Sequence, residues 1–97
     1  MRISVAMTTY SKRFLKEQLD SIFHQTRLPD ELVIFDDASP DDTYQMVQEL
    51  IKNAPEQIEI RVQKNAENVG FVKNFEQAFC ACTGDIISPA MLMTSGI

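Results

Sequence analysis

Apolar residues in this chain fall into short runs separated by longer amphipathic stretches. Ile3 to Met7 is an apolar run of strand length, followed at once by the polar segment Thr8-Thr9-Tyr10-Ser11-Lys12. From Phe14 onward, Leu15, Leu19, Ile22 and Phe23 recur at helical spacing, with Lys16, Glu17 and Asp20 on the other faces, until Leu28-Pro29-Asp30 breaks the pattern. Leu32 to Phe35 predicts a second buried strand, and Asp36-Asp37-Ala38-Ser39 follows it directly. Ser39 is placed to cap a second helix, with Pro40 at its first position, Asp42 three residues on, and an apolar stripe of Met46, Val47, Leu50 and Ile51. Ile58, Ile60 and Val62 alternate with Glu59 and Arg61, the pattern of a strand with one wet face at a sheet edge. A third helix is expected from about Gly70, with Val72, Phe75, Phe79 and Cys82 turned inward and Gly84 as its stop. Ile86 and Ile87 open a fourth strand.

Strand starts near 3, 31, 58 and 85 recur every 27 or 28 residues, which is the rhythm of βαβ crossovers in an α/β fold with a mainly parallel sheet. In such sheets ligands bind beyond the carboxyl ends of the strands, near the point where strand order reverses. Thr8 to Lys12, Asp36 to Ser39, Lys64 to Gly70 and the residues after Ile87 therefore form the expected ligand rim.

With 97 residues, 44% hydrophobic and 24% charged, the chain suits one globular domain. A net charge of -5 argues against nucleic acid as a partner and against a polybasic membrane surface, so an anionic ligand must be held by local groups. Cys80 and Cys82 lie too close along a helical pattern for a mutual disulfide or a structural zinc site and read as reduced, intracellular residues. The chain shows neither a positively charged leader nor the roughly 20 apolar residues of a transmembrane segment. His24, the one histidine, falls at the far end of the first helix, away from the rim.

The loop after the first strand contains no glycine, which excludes a dinucleotide-binding turn of the glycine-rich kind. A receiver-type phosphorylation domain would carry acids after its first and third strands, whereas here the acidic pair follows the second. The pieces Val5-Ala6-Met7-Thr8-Thr9-Tyr10-Ser11, Gln18 to Ile22, Gln25-Thr26, Glu31 to Thr43, Asn68-Val69-Gly70 and Gly84-Asp85-Ile86-Ile87, in that order and spacing, resemble the GT-A glycosyltransferases of family 2. The resemblance is closest to rhamnosyltransferase-like members that build surface polysaccharide. It implies a three-layer α/β/α Rossmann-like half of a GT-A fold, strand order 3-2-1-4, over residues 1–88, with 89–97 as an atypical tail. It also implies that Thr8 and Tyr10 line the base pocket of a nucleotide-diphosphate sugar, the tyrosine offering a stacking face. Asp37 would accept a hydrogen bond from the base imide N–H, Asp36 would orient the turn or meet the ribose, and Lys73 would face the donor.

In the family the fourth strand ends in an Asp-x-Asp motif holding a divalent cation, Mg or Mn, against the diphosphate. Here Ser88 is followed by Pro89-Ala90-Met91-Leu92-Met93-Thr94-Ser95-Gly96-Ile97, without those acids. Because methionine has a single codon, Ala90 to Gly96 can be encoded so that a displaced frame reads Asp-Ala-Asp-Asp-Ile-Trp. A frameshift near residue 88 is one expectation; a deliberately chosen domain end, or a tail of vector origin, is the other. The resemblance places the catalytic base beyond residue 97, so the chain is expected to be silent in catalysis by itself. The intact enzyme would move a sugar, with inversion, to a glycan or lipid-linked hydroxyl acceptor, in the cytoplasm or at the inner face of the membrane. The rival expectation is a non-catalytic α/β binding or assembly module, a homo-oligomer paired through an exposed sheet edge.

Overall fold

In the computed structural model, which describes residues 1–9, 15–24, 27–39 and 42–90, strands and helices alternate. They are β1 (Ile3–Thr9), α1 (Leu15–Phe23), β2 (Glu31–Asp36), α2 (Thr43–Leu50), β3 (Glu59–Lys64), α3 (Phe71–Ala81) and β4 (Ile86–Ala90), with a 3-10 turn at Ile51–Asn53 extending α2. All pairings are parallel and the sheet order is β3-β2-β1-β4. The chain thus adds strands on one side of β1, then returns to its other side. Strand order reverses between β1 and β4, as in the doubly wound arrangement expected from the βα rhythm.

Side chains of a strand point alternately to the two faces of a sheet, and the core divides accordingly. Val5 and Met7 of β1 with Leu32 and Ile34 of β2 pack against Leu15, Leu19, Ile22 and Val47, so α1 and α2 cover that face. Ala6, Val33 and Phe35 point the other way and meet Ala78 of α3. Ala6 and Val33 are register partners, which is why they share that face. The result is three layers, α/β/α.

Three expectations need correction. Ser39 does not cap α2: the helix starts at Thr43 with Asp42 in the N-cap position, and the backbone N–H and hydroxyl of Ser39 both donate to Asp36. A buried carboxylate requires donors, and Ser39 supplies two. The third helix is rotated relative to the expected face: Asn74 and Ala78 are its buried residues, Phe75 and Cys82 pack at the edge, and Val72 and Phe79 are exposed at 69% and 46%. The Asn74 carboxamide donates to the Phe35 carbonyl, and this buried bond sets the helix's roll. Gly84 does not end α3, which closes at Ala81 with Cys82 as C-cap; it lies instead where the chain passes against β1. Pairing of β4 with β1 runs from Ile86 through Ala90. Residues 91–97 lie outside those described.

Both cysteines are free thiols. Burial, followed by the negative charge of Glu31, pushes the Cys82 thiol up from its ordinary value.

Candidate functional site

The carboxyl ends of β1, β2 and β3 meet in a polar rim. Each ladder runs one residue further than its strand: the Asp37 N–H donates to the Thr9 carbonyl at 2.9 Å, and the Asn65 N–H donates to the Asp36 carbonyl at 2.8 Å. Asp36 is fully buried. Its carboxylate accepts the Thr9 hydroxyl at 2.8 Å, the Ser39 N–H at 2.9 Å and the Ser39 hydroxyl at 2.5 Å. Short contacts of this kind mark charge-assisted hydrogen bonds. Asp36 thereby ties the end of β1 to the segment that follows β2.

Asp37 faces the other way. Its Oδ1 accepts the Asn65 carboxamide at 3.1 Å and the Val69 N–H at 2.8 Å, while its Oδ2 accepts the Gly70 N–H at 3.0 Å. Gly70 is the N-cap of α3, so the carboxylate lies where the helix dipole favours negative charge. Two residues with positive φ flank this contact. Gly70 has φ +95°, and Ala38, between the two anchored residues, has φ +54°, a left-handed conformation that costs a residue with a Cβ. Strain of that kind concentrates at ligand sites when the surroundings enforce it.

Thr8 is half-buried at the end of β1, beside Phe35 in register. Lys73 is exposed on the first turn of α3. Tyr10 lies outside the described residues. The fold thus brings Thr8, Asp36 and Asp37 to adjacent strand ends and adds Thr9, Ser39 and Asn65, which fall within the rim expected from the sequence but carry no ligand role in that reading. The equal offset of the two strands is a usable signal, since it puts Thr9 opposite Asp36. At the outer edge the Lys64 ammonium stands 5.8 Å from the Tyr44 ring centroid, within cation–π range.

A third buried acid lies at the opposite end of the sheet. Glu31 accepts from the Ser4 hydroxyl at 2.7 Å, from the Thr83 N–H at 2.8 Å and from the Arg61 guanidinium. Arg2 stands 3.9 Å from it and bonds Glu59 at 2.7 Å. Burial by itself pushes the Glu31 carboxyl up, but Thr83, Ser4 and Arg61 favour the charged form and bring it down to about 2. These partners leave the carboxylate satisfied, so the cluster is a structural staple.

The rim does not suit a divalent cation. Among the described residues, no group of three or more His, Cys, Asp or Glu side chains could hold one. Asp36 and Asp37 moreover each accept three hydrogen bonds from protein N–H and O–H donors already, which leaves little of either carboxylate for a cation.

A parallel sheet in the order 3-2-1-4, layered by helices and carrying a polar rim at the carboxyl ends of its strands, defines a Rossmann-like α/β domain of the GT-A kind. The sequence profile of Glycosyl transferase family 2 matches residues 4–89, and the chain belongs to that family. An uncharacterized glycosyltransferase of Nostoc sp. is 33% identical over 89 residues, covering 91% of this chain and 27% of that protein. Among solved structures, the mannosyltransferase PcManGT of Pyrobaculum calidifontis, in complex with GDP-Man and Mn2+, is similar at TM-score 0.79 and 27% identity, covering 92% of this chain and 27% of its own. S. aureus TarS in complex with UDP is similar at TM-score 0.74 and 27% identity, with 93% and 27% covered. The chain thus spans 27% of the length of each of these relatives. No helix among the described residues is long and apolar enough to cross a membrane.

Proposed function

We propose that this chain forms the nucleotide end of the donor site of a family 2 glycosyltransferase, whose whole protein transfers a sugar from a nucleotide-diphosphate sugar to a glycan or lipid-linked hydroxyl. The observation that carries the reading is the rim at which Thr8, Asp36 and Asp37 stand together at adjacent strand ends. Its support from outside the chain is that two structures with this fold are complexes with GDP-Man and with UDP. Thr8 and Tyr10 line the base pocket in this reading, Asp37 accepts from the imide N–H of the base, Asp36 holds the turn, and Lys73 faces the diphosphate. Uracil and guanine both carry such an N–H. A divalent cation of the Mn or Mg type would balance the diphosphate in the whole enzyme. The free thiols of Cys80 and Cys82 suit the cytoplasm. Calorimetric titration of the folded chain with UDP and GDP tests the proposal: saturable binding of either supports it, and absence of heat with both rejects it.

A second reading, a non-catalytic assembly module, draws on the exposed apolar surface of α3 and β4, where Phe71, Val72, Phe79 and Ile86 are 45% to 69% accessible. Gel filtration separates the two. A concentration-dependent oligomer that ignores nucleotides favours assembly.

A further inference from the structure

We propose that Asn65 and Asn74 are positioning residues that aim the Asp37 carboxylate at its ligand; this rests on the reading of Asp37 as the acceptor for the base. Asn74 is 1% exposed, and its side-chain amide donates to the Phe35 carbonyl at 3.0 Å. Its own carbonyl oxygen accepts the Asn65 carboxamide at 2.8 Å, and the same Asn65 nitrogen donates to Asp37 Oδ1 at 3.1 Å. The path leaves β2 at Phe35, crosses α3 and the β3–α3 loop, and returns to the chain two residues later at Asp37.

Donor and acceptor roles are fixed throughout. Reversing the Asn74 amide would set its oxygen against the Phe35 carbonyl and its NH2 against that of Asn65. A relay with a single polarity fixes the plane of the carboxylate as well as its place. That matters because Asp37 is only 3% exposed and already accepts three bonds. A carboxylate offers about four lone-pair directions, so one on Oδ2 remains for a ligand N–H. Losing Asn65 frees the carboxylate to turn about its bonds to Val69 and Gly70, and that remaining direction is no longer held.

The test compares UDP with N3-methyl-UDP and GDP with N1-methyl-GDP by calorimetry, using the full chain and its Asn65→Ala variant. Methylation removes the imide donor and nothing else of consequence to the diphosphate. The chain itself is expected to prefer the unmethylated form of whichever nucleotide it binds by about tenfold. Asn65→Ala is expected to bring that preference below about twofold. A folded variant that keeps the tenfold preference overturns the proposal. So does an equal loss for both nucleotides with their ratio unchanged, since that marks general loosening. Absence of a preference in the unsubstituted chain rejects the imide contact itself, and the proposal with it, and is distinguishable because it needs no variant. Circular dichroism confirms folding, and if Asn65→Ala is unfolded, Asn65→Ser carries the same comparison.

Discussion

The Thr9 hydroxyl donates to the Asp36 carboxylate at 2.8 Å across the last rung joining β1 to β2, and both side chains are buried. The rim depends on this bond because Asp36 also gathers Ser39. Asp36→Ala leaves the Thr9 hydroxyl and both Ser39 donors without their acceptor, and is expected to destabilise the chain by roughly 2–4 kcal/mol. Thr9→Val keeps the shape and removes one donor, costing about 1 kcal/mol. Urea denaturation of the two variants and their double variant measures the coupling, and additive effects would show that the rung contributes nothing of its own.

Ala38 carries a Cβ at φ +54°, held there between Asp37, tied to the α3 N-terminus, and Ser39, tied to Asp36. Glycine meets no penalty in that region, so Ala38→Gly is expected to be neutral or to stabilise by up to about 1 kcal/mol, although glycine usually weakens a folded chain. Thermal unfolding reads the sign. A clear drop in Tm would mean that the anchoring bonds do not impose the conformation.

The strands and their rhythm are legible in the sequence because each is an apolar run ended by polar residues, and the observed starts at Ile3, Glu31, Glu59 and Ile86 keep the expected spacing. The rim is legible for the same reason: Thr8, Asp36 and Asp37 stand where the apolar runs stop. The bonds within the rim are not, because they depend on lateral register and on a loop closing from 65 to 70. The roll of α3 escapes a count of apolar residues, which favours Val72 and Phe79, whereas a polar side chain, Asn74, occupies the centre of the buried face. Glu31 is inconspicuous as a strand's first residue, its partners Ser4, Arg61 and Thr83 being scattered along the chain.

Glu31 gives the chain a sensitivity to acid. Its carboxyl is held at about 2, below the ordinary 4.5, so its contribution is complete above the unfolded value and declines as pH falls from 4.5 toward 2. The full difference corresponds to roughly 3 kcal/mol. Solvent around the half-exposed Arg61 and Arg2 screens part of this, leaving roughly 1–2 kcal/mol. Urea midpoints between pH 7 and pH 2.5 should fall for the chain, with a smaller fall over the same window for Glu31→Gln, which starts lower. Parallel curves would show that other carboxylates govern the acid response.

Gly84 is constrained by space rather than by its backbone angles. Its N–H donates to the Ser4 hydroxyl at 2.8 Å, and an added Cβ would stand 2.4 Å from that oxygen and 2.9 Å from both the Arg2 carbonyl oxygen and the Ser4 nitrogen. The hydroxyl could rotate away, but the two backbone atoms belong to the residue that enters β1 and to β1 itself. The same Arg2 carbonyl accepts from Asp85 at 2.8 Å and Ile86 at 3.2 Å, so displacing it loosens the entry to β4. Gly84→Ala is therefore expected to cost roughly 1–3 kcal/mol by overpacking. The loss should be accompanied by faster amide exchange along β4, an edge strand paired only with β1 among the described residues. Adding Ser4→Ala clears the hydroxyl alone, so the double variant should not regain the lost stability. Recovery would mean that the hydroxyl, and not the β1 backbone, sets the limit at this position.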